Sequence, residues 1–147
     1  PRSSVAGLKT LAPDAMTALI AISQAVTASG LPQDLIELAK VRASQINGCA
    51  FCLDFHLKLA RQHGVPQTKL DLLSVWPDAP VYSARERAAL AWAEVLTLVA
   101  DQSVTEDDYA AARAEFSEAE LVNLSLAIGT INVWNRLGIA YAFAVSA

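Results

Sequence analysis

Residues 37–56 read Glu37-Leu-Ala-Lys-Val-Arg-Ala-Ser-Gln-Ile-Asn-Gly-Cys-Ala-Phe-Cys-Leu-Asp-Phe-His56. The first half is rich in strong helix formers. Asn47-Gly48 then stops that helix, since both residues accept the left-handed backbone found just past helix C-termini. Helical reading resumes at Cys49 and runs to His63, where Gly64 stops it. So short a turn makes the two helices antiparallel neighbours. No Asn-Gly in the chain lies between alternating apolar and polar runs, so the hairpin is helical and not β.

Proline, glycine and helix caps divide the rest. Pro13 suits the first turn of a helix to Ser29, with Gly30 as its stop. Pro32 opens the helix Gln33 to Ile46, and Pro66 a short one to Ser74, while Pro77 and Pro80 fall in a loop. Ser83-Ala84-Arg85-Glu86 is a capping box that opens a helix to Ala100. Thr105 precedes Glu106, Asp107 and Asp108, acids favoured by the dipole of a first turn, and that helix ends near Phe116. Ser117-Glu118-Ala119-Glu120 is a second capping box, opening a long apolar helix to Phe143. Gly129 and Gly138 lie inside it and either weaken it or allow a close contact. The expected fold is an all-α bundle of six or seven helices in one domain, residues 1–147, with Cys49 at the N-terminus of the third helix.

Composition narrows the function. Of 147 residues, 54% are hydrophobic and 18% charged, which excludes a disordered chain. So much apolar surface on a small chain points to subunit interfaces. Eleven Lys and Arg against fifteen Asp and Glu give a net charge of −4, without the basic stripe that nucleic acid requires. Glu94 interrupts the apolar run from Ala88 to Ala100, and Asn123, Asn132, Asn135 and Arg136 interrupt the run from Leu121 to Phe143, so no membrane span is expected. The opening residues lack a signal peptide's apolar core, which makes a cytoplasmic location the expectation. Pro1 is not a native start, so a few N-terminal residues are expected to precede it.

The chemistry centres on the chain's two cysteines, Cys49-Ala50-Phe51-Cys52. Random placement gives this spacing about 1% of the time. A buried cysteine is usually a small hydrophobe, but that does not account for the pairing. Three other readings stay open on the residues alone: a redox pair, two ligands of a zinc ion, and a structural disulfide. A bridge closing so short a loop stabilises little. At a helix N-terminus the free N–H groups favour a thiolate. Lowering a thiol from about 8.5 to about 7 raises its thiolate fraction at pH 7 from about 3% to half, a shift of about 2 kcal/mol.

His56 follows Cys52 by one helical turn and shares its face, where it is placed to accept a proton near neutral pH. His63, beside Gly64, reads as a helix-end residue. Glu37 lies about 15 Å before the turn and His56 about 12 Å after it, so the two stand at about the same level of the hairpin. Glu37 also sits among Leu35, Ile36, Leu38 and Val41, where a half-buried carboxyl could pass protons to and from His56. The zinc reading would use Cys49, Cys52, His56 and Glu37. Trp76, Trp92 and Trp134 read as core or interface residues, and Asp54 and Arg42 carry no assigned role. Glu37-Leu38 and Glu120-Leu121 each precede a polar i, i+3 pair, Cys49/Cys52 and Asn132/Asn135, which reads either as a duplicated hairpin or as coincidence.

Glu37, Cys49-x-x-Cys52 and His56 together resemble the alkylhydroperoxidase AhpD-like family of the carboxymuconolactone decarboxylase-like superfamily. Ala60-Arg61-Gln62-His63-Gly64 also fits, and Ile131-Asn132-Val133-Trp134-Asn135-Arg136 is similar to the Asn-rich helix of its peroxidase-related members. The resemblance implies an all-helical subunit that forms dimers, trimers or hexamers and reduces alkyl hydroperoxides. By that analogy Cys52 is the peroxidatic thiol, Cys49 resolves it, and His56 and Glu37 relay protons, with no cofactor and with a dithiol or protein reductant as partner. AhpD itself has a histidine immediately before the second cysteine, where this chain has Phe51, and this chain is a shorter, core-only relative. The decarboxylase branch lacks the cysteine pair, so lactone decarboxylation is not expected. The alternatives are a non-enzymatic oligomeric redox sensor or adaptor, and a zinc protein.

Overall fold

The computed structural model describes residues 1–146. Among them the chain forms α1 (Val5–Leu11), α2 (Pro13–Ala28), α3 (Gln33–Asn47), α4 (Ala50–Gln62), α5 (Gln67–Asp71), a 3-10 stretch (Leu73–Asp78), α6 (Ala84–Thr97), α7 (Glu106–Glu115) and α8 (Glu118–Ala140), with no strand. None of these helices is long and apolar enough to cross a membrane. The seven expected helices are α2 to α8. The additional α1 moves the cysteine pair from the third to the fourth helix. It is seven residues long and contains Gly7, so propensity alone does not announce it. Its stability comes from a Ser4 hydroxyl that accepts the Gly7 N–H, and from Leu8, buried against Met16 and Phe143.

α3 is the central helix and packs on α4, α6 and α8. Leu35, Ile36, Leu38, Ala39, Val41 and Ala43 are buried on it, and so are Glu37 and Ser44. Burial on so many sides is what a helix enclosed by neighbours requires. Arg42 reaches α6, where its Nε donates to Glu94 Oε1 at 3.0 Å, and the Trp76 indole N–H donates to the same oxygen at 2.7 Å. Trp76 and Trp92 are core residues. The capping boxes at Ser83/Glu86 and Ser117/Glu120 are both formed. Thr105 and Asp108 form a third, so the acids after Thr105 do more there than complement a dipole.

Two helix ends set up the site. α3 ends at Gly48 with φ 71°, the left-handed conformation expected of Asn47-Gly48, and the chain reverses directly into α4. α8 stops at Ala140, short of the expected Phe143. The Ala142 N–H donates to Ile139 O at 3.2 Å and the Phe143 N–H to Gly138 O at 3.0 Å. This pattern is a Schellman turn, with Ala142 at φ 50° where glycine is usual. Lacking that glycine, the stop leaves no mark in the sequence. The turn folds Phe143 back into the core beside Leu8 and Met16.

Candidate active site

Cys49 is the N-cap of α4, and its Sγ accepts the Cys52 backbone N–H at 3.3 Å. A sulfur thus takes the position usually held by a Ser, Thr or Asp oxygen. The two cysteines are disulfide-bonded, with Cα atoms 5.3 Å apart. Both are buried, in a cluster with Ala43 and Ile131, flanked by Phe51 and Trp134.

Glu37 and His56 meet across the α3–α4 hairpin, His56 Nδ1 lying 2.7 Å from Glu37 Oε2. They are 3% and 8% exposed, so this carboxylate–imidazole contact is largely withdrawn from water. With Glu37 ionised, Nδ1 carries the proton it donates, and Nε2 is left as the basic ring nitrogen. Glu37, Cys52 and His56 all line one cavity of about 470 Å³ between α1, α2, α3, α4 and α8. Cys49 does not line it. All four residues singled out by sequence are therefore gathered in one place, with the two sulfurs bonded and only Cys52 fronting the cavity. No group of three or more His, Cys, Asp or Glu side chains among the described residues is arranged to hold a metal ion.

Several wall residues were not foreseen as such. Trp134 lines the cavity rather than serving the core alone, and Phe51, Phe55 and Ile131 add to the apolar wall. His63 is the C-cap of α4, as its place beside Gly64 suggests, but it also lines the cavity. Lys40 is half-buried there, one turn after Glu37. Burial holds its ammonium below the usual lysine range, outweighing the opposite pull of Glu37. The i, i+3 spacing from Glu37 was its only sequence signal, and nothing showed which way that face turns.

Next to the cysteine pair lies an amide network, with the Arg136 guanidinium donating to its Asn132 Oδ1 at 3.1 Å. Asn47 Nδ2 donates to Asn132 Oδ1 at 2.8 Å and to Asn135 Oδ1 at 2.9 Å. Asn135 Nδ2 donates to Ser44 Oγ at 3.1 Å, and Asn132 Nδ2 to Thr97 Oγ1 at 3.1 Å. The network ties the α3–α4 turn to α8. Asn132 and Asn135 thus serve as partners of the cysteine-bearing turn, while Glu120, the other half of the sequence echo, pairs at the surface with Arg85.

Gly138 resolves the ambiguity left open for it. A Cβ there would stand 2.8 Å from Cys49 Sγ and 3.3 Å from Cys52 Sγ, so its bare backbone admits the sulfurs. At Gly129 a Cβ would meet nothing within 4 Å.

The sequence profile of the Carboxymuconolactone decarboxylase family matches residues 13–95. The uncharacterized protein YdfG of Bacillus subtilis is 36% identical over 130 residues, 88% of each chain. A solved protein of unknown function from Agrobacterium tumefaciens, named as a candidate antioxidant-defence AhpD protein, superposes with TM-score 0.89 at 38% identity and covers 98% of this chain and 100% of its own. The debrominase Bmp8 superposes with TM-score 0.81 over 92% of this chain and 73% of its own, and at 21% identity it shares the fold. With the Glu37, Cys49-x-x-Cys52 and His56 set in place, this chain belongs to the carboxymuconolactone decarboxylase family, as an AhpD-like member.

Proposed function

We propose that the chain is a thiol-dependent peroxidase that reduces organic hydroperoxides through Cys52 and Cys49. The observation that carries this reading is the shared cavity: Cys52 and His56 both line it, and Glu37 holds the His56 Nδ1. The apolar wall suits an alkyl or aryl hydroperoxide better than hydrogen peroxide.

The cycle starts from the disulfide. A thiolate of a dithiol reductant attacks Cys52 Sγ, the sulfur that fronts the cavity, and the S–S bond breaks with Cys49 leaving as thiolate. The N–H at the start of α4 stabilises that leaving group. The reductant's second thiol then releases Cys52 and departs as a disulfide, so that two electrons have entered. His56 Nε2 takes the Cys52 proton, and the thiolate attacks the peroxide. The O–O bond breaks, Cys52 becomes a sulfenic acid, and the alkoxide leaves as an alcohol with the proton from His56. Cys49 attacks the sulfenic sulfur, water leaves, and the disulfide is restored. Glu37 keeps His56 in the tautomer this requires.

The test is consumption of cumene hydroperoxide with a dithiol, wild type against Cys52→Ser. Turnover by wild type alone supports the reading, and an equal rate in the variant overturns it. The aromatic wall of Phe51, Phe55 and Trp134 favours a second reading, reductive dehalogenation of a flat ring, with the dithiol oxidised and halide released. Bromide release from a bromopyrrole without peroxide turnover would put that reading first.

The functional unit in this proposal is a homo-oligomer, located in the cytoplasm. Val122, Leu126 and Val133 are exposed on one stripe of α8 and would be covered by a second copy. Light scattering that shows a monomer for the wild type would remove this part of the proposal.

A further inference from the structure

We propose that Gly138 is a positioning residue that sets the balance between the oxidised and reduced forms of the Cys49–Cys52 pair. The inference does not depend on which substrate the pair serves.

Gly138 lies within α8, three residues before its C-cap, where glycine is costly: about 1 kcal/mol relative to alanine in a helix interior. Its φ is an ordinary helical one, so backbone conformation does not require glycine here. The surroundings do. The missing Cβ would stand 2.8 Å from Cys49 Sγ, 3.3 Å from Cys52 Sγ and 3.6 Å from Phe143 Cδ2. The first distance is shorter than a methyl group tolerates, and the second is tight. The Schellman turn presses on the position from the other side, since it folds Phe143 back over Gly138.

Whether the sulfurs can yield depends on redox state. In the disulfide each Sγ is held by the other, and neither can turn away. In the dithiol each Sγ rotates independently about its Cα–Cβ bond, as any cysteine does. A methyl group at position 138 therefore opposes the disulfide more than the dithiol. The equilibrium concerned is balanced: the protein disulfide and a reduced dithiol exchange two electrons and two protons, one S–S bond breaking in the protein as one forms in the reagent. Gly138→Ala shifts it toward the protein dithiol.

Gly129→Ala is the internal control. It lies in the same helix, gains the same helix propensity, and its added Cβ meets nothing within 4 Å. Wild type and both variants are equilibrated with mixtures of reduced and oxidised dithiothreitol, the free thiols are alkylated, and the fraction oxidised is read by mass. We expect Gly138→Ala to favour the dithiol at least tenfold over wild type, a potential about 30 mV less negative. Gly129→Ala should stay within threefold. A Gly138→Ala midpoint that coincides with wild type, or an equal shift in both variants, overturns the proposal. Should Gly138→Ala fail to fold, the substitution is placed in Cys49→Ala, which lacks the sulfur at 2.8 Å. There the double variant should melt at or above the temperature of its Cys49→Ala parent, and a double variant that unfolds overturns the proposal equally.

Discussion

Cys49 and Cys52 share one bond, yet their surroundings differ in kind. Cys52 fronts a cavity whose wall holds the imidazoles of His56 and His63, the Glu37 carboxylate and the half-buried Lys40 ammonium. Cys49 does not line it, and its sulfur lies against the bare backbone of Gly138. The Cys49 N–H donates to Ser44 O at 3.2 Å, and Ser44 in turn accepts from Asn135. The carboxylate–imidazole pair stands on one side, and the other side is closed and hydrogen-bonded through amides, with the Arg136 guanidinium donating to Asn132 Oδ1 at 3.1 Å. The division follows from the i, i+3 spacing at a helix start: Cys49 caps the helix, and Cys52 lies within its first turn, one turn before His56. Substitutions of Cys52, His56 and Glu37 should therefore change rates, and those on the closed side stability and redox balance.

The largest expected effect tests the division within the pair itself. Cys52→Ser should lower hydroperoxide consumption to the uncatalysed background. Cys49→Ser should also fail to cycle, but should consume one equivalent of peroxide and leave a sulfenic acid on Cys52, which dimedone labelling and mass measurement detect. If the single equivalent goes to Cys52→Ser instead, the roles of the two sulfurs are reversed.

Next comes Glu37→Gln. The amide keeps the shape but removes the charge that holds the His56 tautomer, and the rate of Cys52 oxidation by peroxide should fall about 100-fold. The dithiothreitol equilibrium of the pair should not move. A rate within threefold of wild type would show that the 2.7 Å contact is structural.

Asn135→Ala probes the closed side. Asn135 is fully buried and bonded to both Asn47 and Ser44, and its loss orphans groups at each end. Stability should drop by roughly 2–3 kcal/mol in urea unfolding. Cys52 oxidation in the folded fraction should stay within threefold of wild type. A larger rate loss would join the amide network to the chemistry and break the comparison.

What the sequence shows and what it hides divide along the same line. The α3–α4 hairpin was legible because its signals are local: Asn47-Gly48 stops one helix, Gly64 the next, and residue rise alone brings Glu37 and His56 to one level. The capping boxes of α6 and α8 were legible for the same reason. Hidden were features made by contacts between distant segments. α1 exists through Leu8 meeting Met16 and Phe143. α8 ends through a left-handed Ala142, a residue that does not announce such a turn. Gly138 could be read as a weak point or a close contact until the sulfurs it admits were in place. Asn132 and Asn135 stood out as polar residues in an apolar helix, but their partner Asn47 lies 85 and 88 residues away.

Lys40 should give the smallest effect and the sharpest sign. Burial disfavours its charged form, and Glu37 only partly offsets this, so its folded-state pKa lies below the ordinary 10.5. Below that depressed value both folded and unfolded lysines are charged, and the folded protein bears the full burial cost. Between it and 10.5 the folded lysine has shed its proton while the unfolded one still holds it. The unfolded state then binds more protons, so this residue's contribution to stability rises with pH through that window. Lys40→Met keeps the apolar stem and removes the charge. The variant should be more stable than wild type at pH 7, by less than about 1 kcal/mol, and the gain should shrink as pH approaches 10.5. Urea unfolding of both proteins at pH 7 and pH 10 measures it as a difference, in which the other titrating groups cancel. A variant less stable than wild type at pH 7 would mean that the attraction of Glu37 outweighs burial. Lys40 would then belong with Glu37 and His56 as part of one ionic cluster, rather than standing as a desolvated cation in the cavity wall.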